Sequence, residues 1–130
     1  MVNIYQEKSK PIVIVEWRDT LTEQDVDMYL QHYETILDDN QPYVMIVDAT
    51  RAKQELAITR KRIFKRQRHW LVKREAQVNG MCQGIAYVID SPSGQAAQRA
   101  QLRIKPTVYP SVVLSTRDNA LSWASKRLAV

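Results

Sequence analysis

"PYVMIVDAT", Pro42 to Thr50, places five apolar residues in a row, Tyr43 to Val47, ahead of the polar Asp48 and Thr50. A strand with one wet face alternates apolar and polar side chains. An unbroken apolar run is buried on both faces and is expected at the centre of its sheet. Working outward, "PIVIVEW" (Pro11 to Trp17) and "CQGIAYVID" (Cys82 to Asp90) read as further strands for the same reason. "NIYQE" (Asn3 to Glu7) is a shorter strand ahead of them. "SVVLS" (Ser111 to Ser115) is a last one, and Pro110, which cannot donate to a ladder, puts it at an edge or marks its start.

Between these strands the period changes from two to 3.6. Val26, Tyr29, Leu30, Tyr33, Ile36 and Leu37 recur at spacings of three and four, with Glu23, Asp27, Glu34 and Asp38 away from them. That pattern predicts a helix with an acidic outer face, started by Thr22 as N-cap with Asp25 three residues on. A long basic helix is expected over roughly Gln54 to Asn79, closed by Gly80 as a C-cap residue. "DSPSGQ" (Asp90 to Gln95) is a turn in which Ser91 or Ser93 caps the next helix, "QAAQRAQLRI", which Pro106 stops. The closing helix, "STRDNALSWASKRL", takes Ser115 or Thr116 as its cap and places Ala120, Leu121, Ala124 and Leu128 together. The order β-β-α-β-α-β-α-β-α predicts one α/β domain over residues 1–130. Its sheet is mixed, largely parallel, of four to five strands joined by crossover helices.

Composition narrows the class. Of 130 residues, 45% are hydrophobic and 25% charged, which excludes a disordered chain. No stretch has the ~18 consecutive apolar residues of a membrane span, and the opening "MVNIYQEKSK" lacks a signal-peptide run. A lone Cys82 forms no internal disulfide, so a reducing, cytoplasmic setting is expected. The net charge of +5 conceals an asymmetry: residues 1–50 carry three Lys/Arg against ten Asp/Glu, whereas residues 51–75 carry ten against two. Such a charge dipole favours oriented encounter with a partner or with a second copy of the chain.

In "PIVIVEWRDTLTEQD", "YVMIVDAT", "CQGIAYVID" and "ALSWASKRL" the chain resembles the STAS-like proteins. These are bacterial relatives of the sulfate-transporter and anti-sigma-factor-antagonist domain, grouped with the lipid-binding CRAL-TRIO domains. The resemblance covers nearly the whole chain in element order. It implies the STAS-like fold and a non-catalytic interaction role in a bacterial regulatory or localisation system. Anti-sigma antagonists carry a phosphorylatable Ser in an Asp-Ser-Ser-Gly type motif just ahead of the helix that follows the central strand. Here "VDATRAKQELAIT" has Asp48 but no such Ser, so that switch is not expected.

The most informative stretch is "TRKRIFKRQRHWLVKR", Thr59 to Arg74. At about 100° per residue, Leu56, Ile63, Phe64, Trp70, Leu71 and Val78 share one sector, and Lys61, Arg62, Lys65, Arg66, Arg68, His69 and Lys73 fill the opposite one. Two readings follow for this cationic face. It is a solvated surface whose long stems cover apolar area, or it recognises an acidic protein, nucleic acid or anionic lipid headgroups. A homodimer pairing Asp27, Glu34 and Asp38 with Arg62, Lys65 and Arg66 is a specific form of the second. Arg60, Gln67 and Arg74 fall within the apolar sector. A half-buried Arg needs an anion or a route to water, and Asp48 is the candidate partner for Arg60. Asp48, Thr50 and Arg60 thereby outline an anion or small-ligand pocket.

No nucleophile with a base, no paired carboxylates at a recognisable spacing and no cofactor fingerprint appear, so neither an enzyme nor a cofactor is expected. His32 and His69 are isolated, without the paired spacing of a metal site, and His32 is expected on solvated surface.

Overall fold

The computed structural model describes residues 1–7, 10–53 and 57–128. Its elements run β1 (Val2–Gln6), β2 (Ile12–Thr20), α1 (Glu23–Asp38), β3 (Tyr43–Lys53), α2 (Ala57–Met81), β4 (Cys82–Val88), α3 (Pro92–Ile104), β5 (Ser111–Leu114) and α4 (Arg117–Leu128). The five strands form one sheet in chain order, β1-β2-β3-β4-β5. β1 is antiparallel to β2, and every other pair is parallel. The unbroken apolar run of β3 thus lies at the centre of the sheet, and β5 at its edge.

Three successive crossovers between adjacent parallel strands step across the sheet in one direction. With a common hand, α1, α2 and α3 fall on one face and the terminal α4 on the other. The two cores show this. One gathers Val13, Val15 and Trp17 of β2, Tyr33 and Leu37 of α1, Tyr43 and Met45 of β3, and Val78 of α2. The other gathers Ile12, Ile14, Val44, Ile46, Ala86 and Val88 beneath Ala120 and Ala124 of α4. The first face is aromatic. Tyr33 sits edge-on to Tyr29 and to Tyr43, and the Tyr33 and Tyr43 hydroxyls share a 2.6 Å hydrogen bond. The second sets branched aliphatic strand residues against the small Ala120 and Ala124 of α4, and Gly84 on β4 leaves room for the Trp123 ring. A Cβ there would lie 2.6 Å from the Trp123 ring of α4, and the Gly84 φ of +157° disfavours any other residue.

Capping follows the sequence. Thr22 and Asp25 make a reciprocal capping box on α1, Ser91 caps α3, and the Thr116 hydroxyl accepts from the Asn119 amide at the start of α4. Two elements differ from expectation. β2 and β3 run on past Trp17 and Thr50, because the two strands keep pairing beyond the irregularity that separates Glu16 from Arg18. α2 continues through Gly80 to Met81 and β4 starts at the next residue, so Gly80 lies within the helix and is no C-cap. The expected first residues of that helix, Gln54 to Leu56, lie outside the described residues.

Candidate functional site

Two charged regions stand apart in this fold. The first is built where β2 and β3 end. Glu16 and Asp48 are register partners on the α4 face. β3 then carries an extra residue relative to β2, a bulge that re-aims side chains. Thr50 turns back so that its amide (3.0 Å) and its hydroxyl (2.7 Å) both donate to Asp48 Oδ1. Over this pair lies Arg117, the first residue of α4. Its Nε (3.1 Å) and Nη2 (2.8 Å) donate to Asp48 Oδ2, Nη2 also reaches Glu16 Oε2, and Nη1 donates to the Tyr5 hydroxyl at 2.8 Å. Arg18 adds a longer contact to Glu16 at 3.3 Å.

Asp48 is only 8% exposed. Burial pushes its carboxyl pKa up, but the Thr50 and Arg117 hydrogen bonds outweigh that and hold it below the usual value. Glu16 follows the same rule, with burial overcome by Arg117 and Arg18. Two carboxylates and two guanidiniums make the cluster neutral, and both Asp48 oxygens are engaged. Its chemistry is that of a latch holding α4 to the sheet.

Asp48 and Thr50 are therefore brought together as expected. The guanidinium bound at Asp48 is that of Arg117, while Arg60 is exposed on the early turns of α2. Sequence reasoning missed Arg117 and Glu16, although a signal existed. A cation at the first position of a helix opposes the macrodipole, and so calls for carboxylates nearby. Glu16 and Asp48 each close an apolar strand run.

The second region is α2. Its inward stripe is Ile63, Gln67, Trp70, Arg74 and Val78, of which only Ile63 and Val78 are fully buried. Phe64 and Leu71, expected on the docked side, are 49% and 42% exposed, and Leu56 lies outside the described residues. The stripe packs on α1, where acidic and basic helices meet within one chain. Arg66 pairs with Asp27 at 2.8 Å and with Glu23 at 3.6 Å, Arg74 with Asp38 at 3.4 Å, and Trp70 Nε1 donates to Glu34. The carboxylates named for an electrostatic dimer thus meet cations and Trp70 of their own α2, while Arg62 and Lys65 of the proposed pairing stay exposed.

The expected partner-binding set, Lys61, Arg62, Lys65, Arg66, Arg68, His69 and Lys73, is exposed throughout. Apart from Arg66, none of it has an ion-pair partner among the described residues. Beside it runs a groove of about 390 Å³ between α2 and α3, with Phe64, Leu71, Leu102 and Val108 among its walls.

Elsewhere the reactive groups are quiet. Burial pushes the Cys82 thiol up to about 11, which leaves it protonated at neutral pH, and it raises the buried tyrosines likewise. His32 is exposed on α1, as expected. Among the described residues no three His, Cys, Asp or Glu side chains converge to hold a metal, and no helix is long and apolar enough to cross a membrane.

No family model and no curated protein matches the chain. Solved structures do. An uncharacterized DUF3478-family protein with a SpoIIAA-like fold, from Shewanella loihica PV-4, superposes with a TM-score of 0.66 over 95% of this chain and 92% of that one, at 14% identity. The anti-sigma factor antagonist SpoIIAA in its unphosphorylated form superposes with a TM-score of 0.60 over 96% and 98%, at 10% identity. The fold is STAS-like. The four-helix, five-strand arrangement expected from the hydrophobic pattern is thus the SpoIIAA-like one. Identities this low speak to the STAS-like fold alone.

Proposed function

We propose that this chain is a non-catalytic regulatory module that docks an acidic protein partner on the outer face of α2, in a bacterial regulatory or localisation system. One observation carries the reading. Lys61, Arg62, Lys65, Arg68, His69 and Lys73 stand exposed on a helix fixed in place by α1, and none has an ion-pair partner among the described residues. Fold stability does not require them, since surface charges of this kind contribute ~0–1 kcal/mol even when paired. A row of cations held rigidly and left unneutralised raises the local concentration of an anionic partner and speeds its encounter. The SpoIIAA-like neighbour is named as an antagonist of another protein factor, and the proposal extends a protein-directed role to this chain.

The test compares the chain with the double variant Arg62→Glu, Lys65→Glu as baits in the same lysate, alongside direct titration with duplex, single-stranded nucleic acid and anionic vesicles. A protein retained by the chain, released by salt and lost with the variant is the expected result. Tight nucleic-acid binding that falls by decades between low and moderate salt, with no protein dependent on Arg62 and Lys65, overturns the reading. Vesicle binding with the same dependence does so too.

A further inference from the structure

We infer that the groove between α2 and α3 seats the partner, and that its occupant is an acidic amphipathic helix. This rests on the docking role proposed for α2 and assigns the partner's chemistry. The α2 residues lining the groove run from Phe64 to Asn79. At ~1.5 Å per residue this is a length of roughly 22 Å, about four turns of helix. The groove holds about 390 Å³ alongside that stretch.

Its apolar walls are open to solvent: Phe64 is 49% exposed, Leu71 42% and Val108 77%. Leu102 of α3 faces them across the groove. Apolar surface left wet in a trough between two helices matches a helix presenting anchors at i, i+3, i+4 and i+7. The rims supply the sign of the charge. Arg68 and Lys105 line the groove against a single carboxylate, Glu75. Lys61 extends the cationic bank toward the start of α2, because residues three apart share a helix face and Lys61 lies three before Phe64. Apolar anchors flanked by carboxylates complement that pattern. The chain's own acidic helix does not fit it, since the carboxylates of α1 are held by Arg66 and Arg74.

The test uses three synthetic peptides of about 15 residues, followed by fluorescence anisotropy against the full chain. One is a helix with Leu or Phe at i, i+3, i+4 and i+7 and Glu elsewhere. The second has the same composition with the apolar residues out of register, and the third keeps the register with Lys in place of Glu. The acidic amphipathic peptide is expected to bind at least about tenfold more tightly than either control. Leu71→Asp and Val108→Asp, both at exposed positions and checked for an unchanged melt, are expected to weaken it about tenfold or more. Lys105→Glu, at the groove rim, is expected to weaken it two- to threefold, roughly what a rim charge contributes.

Equal binding of the scrambled acidic peptide, or no effect of Leu71→Asp, overturns the groove while leaving charge-led docking on α2 intact. No binding by either acidic peptide also overturns the groove, and capture of a partner through Arg62 and Lys65 then judges the docking role separately. Binding to vesicles of anionic phospholipid that Leu71→Asp abolishes, with no peptide bound, makes the occupant a membrane surface and overturns the proposal.

Discussion

The carboxylate pair under α4 and the cationic face of α2 use charge in opposite ways. At Glu16, Asp48 and Arg117 both oxygens of Asp48 and Oε2 of Glu16 meet donors within a part-buried, neutral cluster. On α2 a comparable number of charges stands in water without ion-pair partners among the described residues. The first arrangement lowers the energy of one conformation and leaves little beyond the buried Nε of Arg18 unsatisfied. The second contributes little to folding and remains available. A charged cluster is thus better judged by what is left unsatisfied than by how many charges it contains.

Removing the clamp is the most damaging way to break this contrast. Arg117→Ala leaves Glu16 and Asp48 facing each other as neighbouring carboxylates, with side chains only 12% and 11% exposed. Breaking a buried pair costs about 3–5 kcal/mol, and the one-third exposure of Arg117 reduces this to about 2–4 kcal/mol. Urea unfolding at pH 7 should show that loss. Adding Glu16→Gln and Asp48→Asn should recover part of it, because the repulsion is then gone.

Gly84→Ala tests the same face through packing. The new Cβ would meet Trp123 at 2.6 Å and force α4 away from β4, at a cost of about 1–3 kcal/mol. A thermal melt lower by several degrees is expected. Exchanging Trp123 for a smaller residue in the Gly84→Ala background should relieve part of it.

Acid should weaken the α4 latch, together with the Asp25 cap of α1, whose carboxyl is likewise held low, against burial, by hydrogen bonds from Thr22 and the terminal amine. Both latch carboxyls are held below their ordinary values, so the folded chain binds fewer protons than the unfolded one. Their contribution is present in full above the unfolded values of about 4 and is lost as pH falls through the depressed folded values. Stability should therefore be flat from about pH 7 to 5 and decline below about 4. The Glu16→Gln, Asp48→Asn variant should show a shallower decline in the same titration.

These contrasts also mark what was legible in the sequence. Element order, the central place of β3, the Thr22 cap, a cap at Ser91 or Ser93 and one at Ser115 or Thr116 follow from period, run length and local hydrogen bonding, all short-range signals; the structure selects Ser91, Thr116 and the edge place of β5. The clamp joins residues 69 and 101 positions apart in sequence, and no periodicity encodes such a contact. Only the misplaced cation at the first position of α4 hinted at it. The docked side of α2 was legible in part: Ile63, Gln67, Trp70, Arg74 and Val78 turn inward as the wheel places them, whereas Phe64 and Leu71 stay exposed along the groove beside α3. α2 meets α1 through Trp70 and Arg74, by ring contact, hydrogen bond and ion pair, so its inward face is narrower than an ideal apolar sector.

The smallest effect on folding should accompany a clear loss of binding. Arg62 and Lys65 are exposed and without ion-pair partners among the described residues. Arg62→Glu with Lys65→Glu should therefore move the unfolding free energy in urea by no more than about 0.5 kcal/mol. Relief of repulsion favours a small gain, since residues 51–75 carry ten Lys/Arg against two Asp/Glu. A variant that melts like the parent and yet loses its acidic partner would separate the two uses of charge in one experiment. A variant that unfolds would instead show that these cations act within the fold, and would move α2 into the same class as the clamp beneath α4.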